Sequence, residues 1–334
     1  MHAYQIQSDA GISDAIVRTE LPDPTPKAGE VVIAVKACSL NYRDTIIAKG
    51  GYPRNDTRPV IALSDCAGEI VEVGADVVGW QVGDRVSPNF LRDHTGGATT
   101  DAHLHTGLGG SVDGVLAQNI AMPAHSLVRI PEGYSFEQAA TLPCAALTAW
   151  NALTSANTAA GQSVLLLGTG GVSVFGLQFA HAMGCRTIVT SSSNAKLDQA
   201  KALGADVAIN YADHPEWHEQ VRAATDGVGV DHVIEVGGNG TLQRSLQSTA
   251  VGGTVSLIGL LSDGQPNILP ALLNAQTIRG IYVGSAEQFR AMNRCIEQNK
   301  IEPIIDRTFG FDEVHEAYAY FASQKHVGKV VITV

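Results

Sequence analysis

The chain has 334 residues, 45% of them hydrophobic, which is enough for about two domains with packed cores. A net charge of −11 with no long basic run argues against nucleic acid or an anionic membrane surface as the main partner. The five cysteines, Cys38, Cys66, Cys144, Cys185 and Cys295, are odd in number and form no C-x-x-C pair, so neither a disulfide framework nor a structural zinc module is expected.

The opening MHAYQIQSDAG lacks a basic region followed by an apolar one. No apolar run approaches the roughly 18 residues of a membrane span. These features predict a soluble, cytoplasmic chain. Residues 1–124 read as short β segments, among them 15–19, 31–37, 69–73, 83–87 and 115–121, separated by Gly and Pro turns. They predict the first part of a partly closed β domain. Residues 90–113 form a polar loop long enough to be more than a connector. Its Asp93, His94, His103 and His105 show no tetrahedral ligand spacing and are expected to be solvated, with no metal.

Residues 137–154, rich in Ala and Leu, predict one helix, opened by a capping box of Ser135 and Gln138. Next comes SVLLLGTGGVSVFGLQFA, residues 163–180. An apolar run enters a glycine turn, and Val172, Phe175, Gly176 and Phe179 then recur at helical spacing. Such a strand, turn and helix let the backbone approach a pyrophosphate, which the N–H groups of the helix start would hold. Gly168, Thr169, Gly170, Gly171 and Val172 are the candidate contacts. Ser173 stands where the usual G-x-G-x-x-G has its third glycine.

Strand patterns at 187–190, 207–209, 232–236, 254–258 and 278–283 then alternate with helical stretches at 194–203, 216–225, 241–250 and 270–274. With 163–167 they make an α/β fold, a doubly wound parallel sheet of six strands over residues 125–284. A last helix at 287–298 and a closing strand break the alternation, so residues 285–334 are expected to return and complete the first domain. A ligand cleft between the domains is the natural expectation.

A free ribose diol is usually held by an acid at the end of the second strand. That place reads Thr190-Ser191-Ser192-Ser193-Asn194-Ala195-Lys196, without a carboxylate. Ser191, Ser192 and Lys196, with Tyr211 after the third strand, form a candidate 2′-phosphate pocket and predict NADPH. The alternative is that the serines only cap the helix that follows.

Several stretches together resemble the medium-chain dehydrogenase/reductases, most of all their zinc-free quinone oxidoreductase branch. They are Ser39-Leu40-Asn41-Tyr42-Arg43-Asp44, Asp65-Cys66-Ala67-Gly68-Glu69, Val82-Gly83-Asp84-Arg85-Val86, Ala140-Thr141-Leu142-Pro143-Cys144, the glycine turn, Gly229-Val230-Asp231 and His326-Val327-Gly328-Lys329. The resemblance implies a GroES-like catalytic domain beside a Rossmann domain, and a homodimer. Where zinc alcohol dehydrogenases of this superfamily carry catalytic zinc ligands, this chain has Asn41, Ser64 and Cys144, a poor donor set. The resemblance therefore implies a zinc-independent NADPH-dependent reductase of quinones or α,β-unsaturated carbonyls. An alcohol or aldehyde dehydrogenase and a non-catalytic NADPH-binding protein are the alternatives. It places Asn41 beside the nicotinamide and the reacting carbonyl, with Tyr42, Arg43 and Tyr52 lining the cleft. Thr148 would lie on the nicotinamide side, and Gly237, Gly259, Leu260 and Val283 at strand ends under the dinucleotide. Lys329 would reach a cofactor phosphate or lie idle on the surface.

Overall fold

The structure, a computed structural model, describes residues 1–7, 11–52, 59–259 and 261–334. The chain forms two compact units, one of residues 1–147 with 283–334 and one of residues 148–282.

In the second unit Ser163–Leu167 is buried from Val164 onward. A strand apolar on both faces belongs at the centre of a parallel sheet. It lies between Arg186–Ser191 and Val230–Glu235, and the sheet runs Val207–Asn210, Arg186–Ser191, Ser163–Leu167, Val230–Glu235, Thr249–Leu257, Thr277–Gly280, all parallel. The strand order therefore reverses beside Ser163–Leu167, the place where doubly wound sheets bind ligands. Helix residues one turn apart, Trp217 with Val221 and Leu242 with Leu246, pack with Leu165, Ile188, Val233 and Val255 into its core.

Three elements differ from the sequence expectation. The helix expected over 137–154 is broken into Phe136–Ala140, a π-helical turn Leu142–Ala146 and Leu147–Ser155. Pro143 explains the break, since it has no N–H to give and its ring crowds the preceding turn. The capping box is present, with Gln138 N–H donating to Ser135 Oγ at 3.2 Å and Ser135 N–H to Gln138 Oε1 at 2.9 Å. The last strand ends at Gly280, and Val283 has the left-handed φ of 52° that a strand excludes. The fifth strand starts five residues early, at Thr249.

The first unit is mainly β. Its seven-stranded sheet runs Ile305–Phe309, Lys329–Thr333, Glu30–Ser39, Asp65–Val73, Arg85–Pro88, Leu127–Arg129, with Asn119–Pro123 also paired to Glu30–Ser39. A smaller sheet joins Ile16–Glu20, His2–Ile6 and Val60–Ile61. The closing strand pairs Val331 with Ser39, so the C-terminal segment completes this unit beside residues 39–41. Leu40, Cys38, Ile33, Tyr318 and Val330 lie in its core.

Candidate functional site

The glycine turn has the geometry of an anion seat. Gly168 takes φ +73°, which a residue with a side chain rarely adopts, and open space faces Gly168 and Gly170 where a Cβ would stand. The 12-residue helix Gly171–Ala182 begins after Gly170 without a side-chain cap, so no side chain takes up its first N–H groups. The missing third glycine has a local explanation. Ser173 is buried and its hydroxyl donates to the Leu167 carbonyl at 2.6 Å, tying the helix to the strand end. The close helix-to-sheet approach is made instead at Gly176, where a Cβ would stand 2.7 Å from Leu166 Cδ2. A glycine three residues after Ser173 was the signal available for this in the sequence.

At the neighbouring strand ends Ser191 pairs with Asn210, and the Tyr211 N–H donates to the Ser191 carbonyl at 3.0 Å. Ser191 is buried, Ser192 exposed, Lys196 half-buried and Tyr211 exposed. The structure thus brings the four proposed pocket residues to adjoining strand and helix ends. The helix Asn194–Ala202 is capped by Ser193, whose Oγ accepts from the Lys196 N–H at 3.5 Å, rather than by Ser191 or Ser192. Further along, Gly259 is required by packing, for a Cβ there would lie 1.7 Å from the Val236 carbonyl oxygen. Gly237 N–H donates to Glu235 Oε1 at 2.7 Å, and Thr148 is buried in Leu147–Ser155. Leu260 lies outside the described residues. Val283 falls in the first unit.

A second polar centre is built in the first unit around Asn41, which ends the segment after Glu30–Ser39 and starts the helix Tyr42–Ala48. Its backbone N–H donates to Asp44 Oδ2 at 2.8 Å. Its side-chain Oδ1 accepts from Lys329 Nζ at 2.6 Å, and that ammonium also donates to the Leu40 carbonyl at 2.7 Å. Asp65 Oδ2 stands 4.0 Å from the same nitrogen. Asp65 in turn accepts from Ser64 Oγ at 2.6 Å and from the Cys144 N–H at 3.0 Å. Asn41, Ser64, Asp65, Cys144 and Lys329 therefore form one network in which four segments meet.

Burial dominates the electrostatics of this network. It pushes the Asp44 carboxyl up to about 7, against the opposing pull of Arg43 and the Asn41 N–H. Burial raises Asp65 too, although Lys329, Ser64 and Asn41 favour its charged form. It lowers the Lys329 ammonium, which Asp65 opposes, and with Asp65 it holds the Cys144 thiol well above its usual range.

Lys329 is a correction: it is 2% exposed rather than an idle surface lysine, and it is committed to Leu40 and Asn41 rather than presented to solvent. Sequence reasoning gave Asp65 no role. A lysine inside the apolar closing strand KVVITV was the signal that a buried partner existed, but spacing could not name it. Arg43 and Tyr52 do meet, since the guanidinium lies 4.8 Å over the Tyr52 ring and 4.8 Å over Phe90, and its Nη1 donates to the Leu108 carbonyl at 2.8 Å. Arg43 thereby pins the 90–113 loop. Tyr42 is 37% exposed.

That loop differs from the solvated segment expected. His94 is buried, stacked 4.4 Å from His103, and bonded through Nε2 to the Gly97 carbonyl at 3.2 Å. Burial lowers its pKa. Asp93 is engaged by Arg92 at 2.9 Å and by His125 at 2.9 Å. His105 remains exposed. Among the described residues no group of three His, Cys, Asp or Glu side chains is placed to hold a metal ion, and no helix is long and apolar enough to cross a membrane.

Comparison with known proteins identifies this architecture. Residues 27–132 match the alcohol dehydrogenase GroES-like domain and residues 171–298 the zinc-binding dehydrogenase family. A zinc-type alcohol dehydrogenase-like protein of Schizosaccharomyces pombe is 49% identical over 315 residues, covering 92% of this chain and 91% of that protein. An acryloyl-coenzyme A reductase of Metallosphaera sedula is 31% identical over 324 residues, 94% of this chain and 95% of the relative. The solved structure of a 2-octenoyl-CoA carboxylase reductase in complex with NADP and 2-octenoyl-CoA superposes with a TM-score of 0.87 at 25% identity, covering 99% of this chain and 87% of that one. The chain belongs to the medium-chain dehydrogenase/reductase superfamily and is an oxidoreductase that works with a nicotinamide dinucleotide.

Proposed function

We propose that the protein is an NADPH-dependent, zinc-independent reductase of quinones or α,β-unsaturated carbonyls. The observation that carries this reading is the Lys329 ammonium bonded to Asn41 Oδ1, which stands at one of the three positions where zinc relatives carry a metal ligand. A zinc ion on Asn41 Oδ1, at an ordinary metal–oxygen distance of about 2.1 Å, would share that oxygen with an ammonium 2.6 Å away and so stand roughly 4 Å from its charge, a repulsion of about 8 kcal/mol at an effective dielectric near 20. The residues do not fit the metal. Without it an alcohol's alkoxide lacks a strong stabiliser. A conjugated acceptor spreads its charge, and an amide donor suffices.

The uncapped N–H groups after Gly170 suit the pyrophosphate, and the carboxylate-free end of Arg186–Ser191, with Ser191, Ser192, Lys196 and Tyr211, suits a 2′-phosphate. Bound NADPH supplies the hydride. On an enone that accepts the hydride at its β-carbon, the π electrons would move to the carbonyl oxygen, where an Asn41 Nδ2–H would donate to the growing negative charge. Water then delivers a proton to the α-carbon, completing a two-electron reduction with NADP⁺ as the other product. The acryloyl-CoA reductase relative and the NADP-bound octenoyl-CoA structure support an activated alkene as acceptor.

A homodimer through the outer strand Thr277–Gly280 is part of this reading. All four of its residues are exposed, and Leu272 and Leu273 nearby are 77% and 74% exposed. A two-fold copy pairing this edge would cover both features. Leu272→Asp should then yield monomers in light scattering.

The principal test is NADPH oxidation with quinones, enones and aldehydes, with and without chelator, alongside zinc analysis. Turnover of enones or quinones that survives chelation is expected. Lys196→Ala should weaken NADPH by about 2 kcal/mol, roughly 30-fold, and leave NADH unchanged. Stoichiometric zinc with alcohol oxidation would favour the dehydrogenase reading, and tight NADPH binding without turnover a non-catalytic role.

A further inference from the structure

Asn41 is 8% exposed, and its Nδ2 has no hydrogen-bond partner among the described residues, although it lies near enough to Asp65 to favour that carboxylate's charged form. An unpartnered amide in a buried setting is uncommon and points to a ligand. The side chain's orientation is not free. An ammonium only donates, so the 2.6 Å bond from Lys329 Nζ fixes the oxygen end of the amide on the ammonium and leaves Nδ2 as the end not engaged by it. Lys329 is held in turn by the Leu40 carbonyl at 2.7 Å and the Asp65 carboxylate at 4.0 Å, and the closing strand is fixed against residues 39–41 by the Val331–Ser39 register. Asp65 is anchored by Ser64 and Cys144. An Nδ2 group carries two hydrogens, and leaning one towards Asp65 leaves the other for a substrate oxygen.

We infer that Lys329 is the positioning residue for Asn41, the ammonium orienting the amide so that one Nδ2 hydrogen is presented to the carbonyl oxygen of the acceptor. This rests on the reductase reading above. The Lys329 ammonium does not touch substrate; it acts through Asn41. The Ser64 hydroxyl and the Cys144 backbone N–H fix the carboxylate that holds the ammonium.

The experiment is a double-mutant cycle. Lys329→Met alone strands the Asp65 charge and risks misfolding, so the charge-neutral Lys329→Met/Asp65→Asn is its parallel. Turnover should fall about 10- to 100-fold both in that variant and in Asn41→Ala, with NADPH affinity unchanged. Adding Asn41→Ala to the charge-neutral variant should lower turnover no further. Additive losses, or a charge-neutral variant within about twofold of the parent, would overturn the assignment. A second readout needs no turnover. The Asn41 side-chain amide signal, assigned by its loss in Asn41→Ala, should exchange slowly in the parent and faster once Lys329 is removed. An unchanged exchange rate sinks the positioning role, whereas a parent enzyme that reduces no acceptor sinks the reductase reading and leaves this signal to decide the positioning role on its own.

Discussion

The two polar centres of the molecule are built in opposite ways. The glycine turn at 168–173 comes from one continuous strand, turn and helix, and its parts are backbone N–H groups and glycine conformations. The Asn41 centre gathers side-chain and backbone groups from residues 40–44, 64–65, 144 and 329, and its central bond spans 288 residues of chain. A local seat tolerates change in its side chains as long as the backbone path survives. A gathered centre depends on every segment that brings it together, and charges buried there remain strongly coupled.

The comparison breaks most sharply at Gly170. Gly170→Asp would set a carboxylate about 4 Å from the cofactor phosphate, and at an effective dielectric near 20 that costs about 4 kcal/mol, roughly a thousandfold in NADPH affinity. Isothermal titration should show this loss with thermal stability little changed, because open space faces that position. If the affinity holds, the seat is elsewhere.

The gathered centre is tested by pH. Asp44 is buried, its folded pKa of about 7 lies above its ordinary 3.8, and Arg43, Asp65, Lys329, the Tyr318 hydroxyl and the Cys38 and Cys144 thiols are among the groups that feel its charge. The folded state therefore binds this proton more tightly than the unfolded chain does. That contribution is full below pH 4 and is lost as pH rises through 7. Asp44→Asn should thus gain stability relative to the parent between pH 4 and 8, by up to about 4 kcal/mol in denaturant melts. A difference that stays flat with pH would mean that Asp44 is charged throughout.

The smallest effect separates structure from ligand contact at Ser173. Ser173→Ala removes its bond to the Leu167 carbonyl and should cost about 1 kcal/mol in unfolding free energy, while NADPH affinity stays the same. A loss of affinity without a loss of stability would make Ser173 a phosphate ligand instead.

Much of this was legible in the residues. The alternation after residue 163 revealed six parallel strands, because a buried parallel strand must be apolar on both faces and its crossover helix on one. The glycine turn was legible for a similar reason, since φ +73° at Gly168 leaves few residues free to stand there. The broken helix around Pro143 was readable as well: a proline inside an Ala-rich run is a local signal, and composition outweighed it in the expectation. The 90–113 loop misled because polar residues read as solvated, whereas the histidine stack and the Arg43 contact bury part of it.

From the sequence alone came the fold class, the glycine turn and the absence of an acid at the second strand end, each set by neighbours within a few turns of chain. The partners of Lys329 and Asp65 were decided only by the tertiary structure. Their contact follows from the pairing of the C-terminal strand with Glu30–Ser39, and no local rule of spacing or propensity records which distant strand another will meet. Once that pairing exists, burial makes the choice of partner costly to change, and an ammonium that would be idle at the surface becomes the residue that orients Asn41.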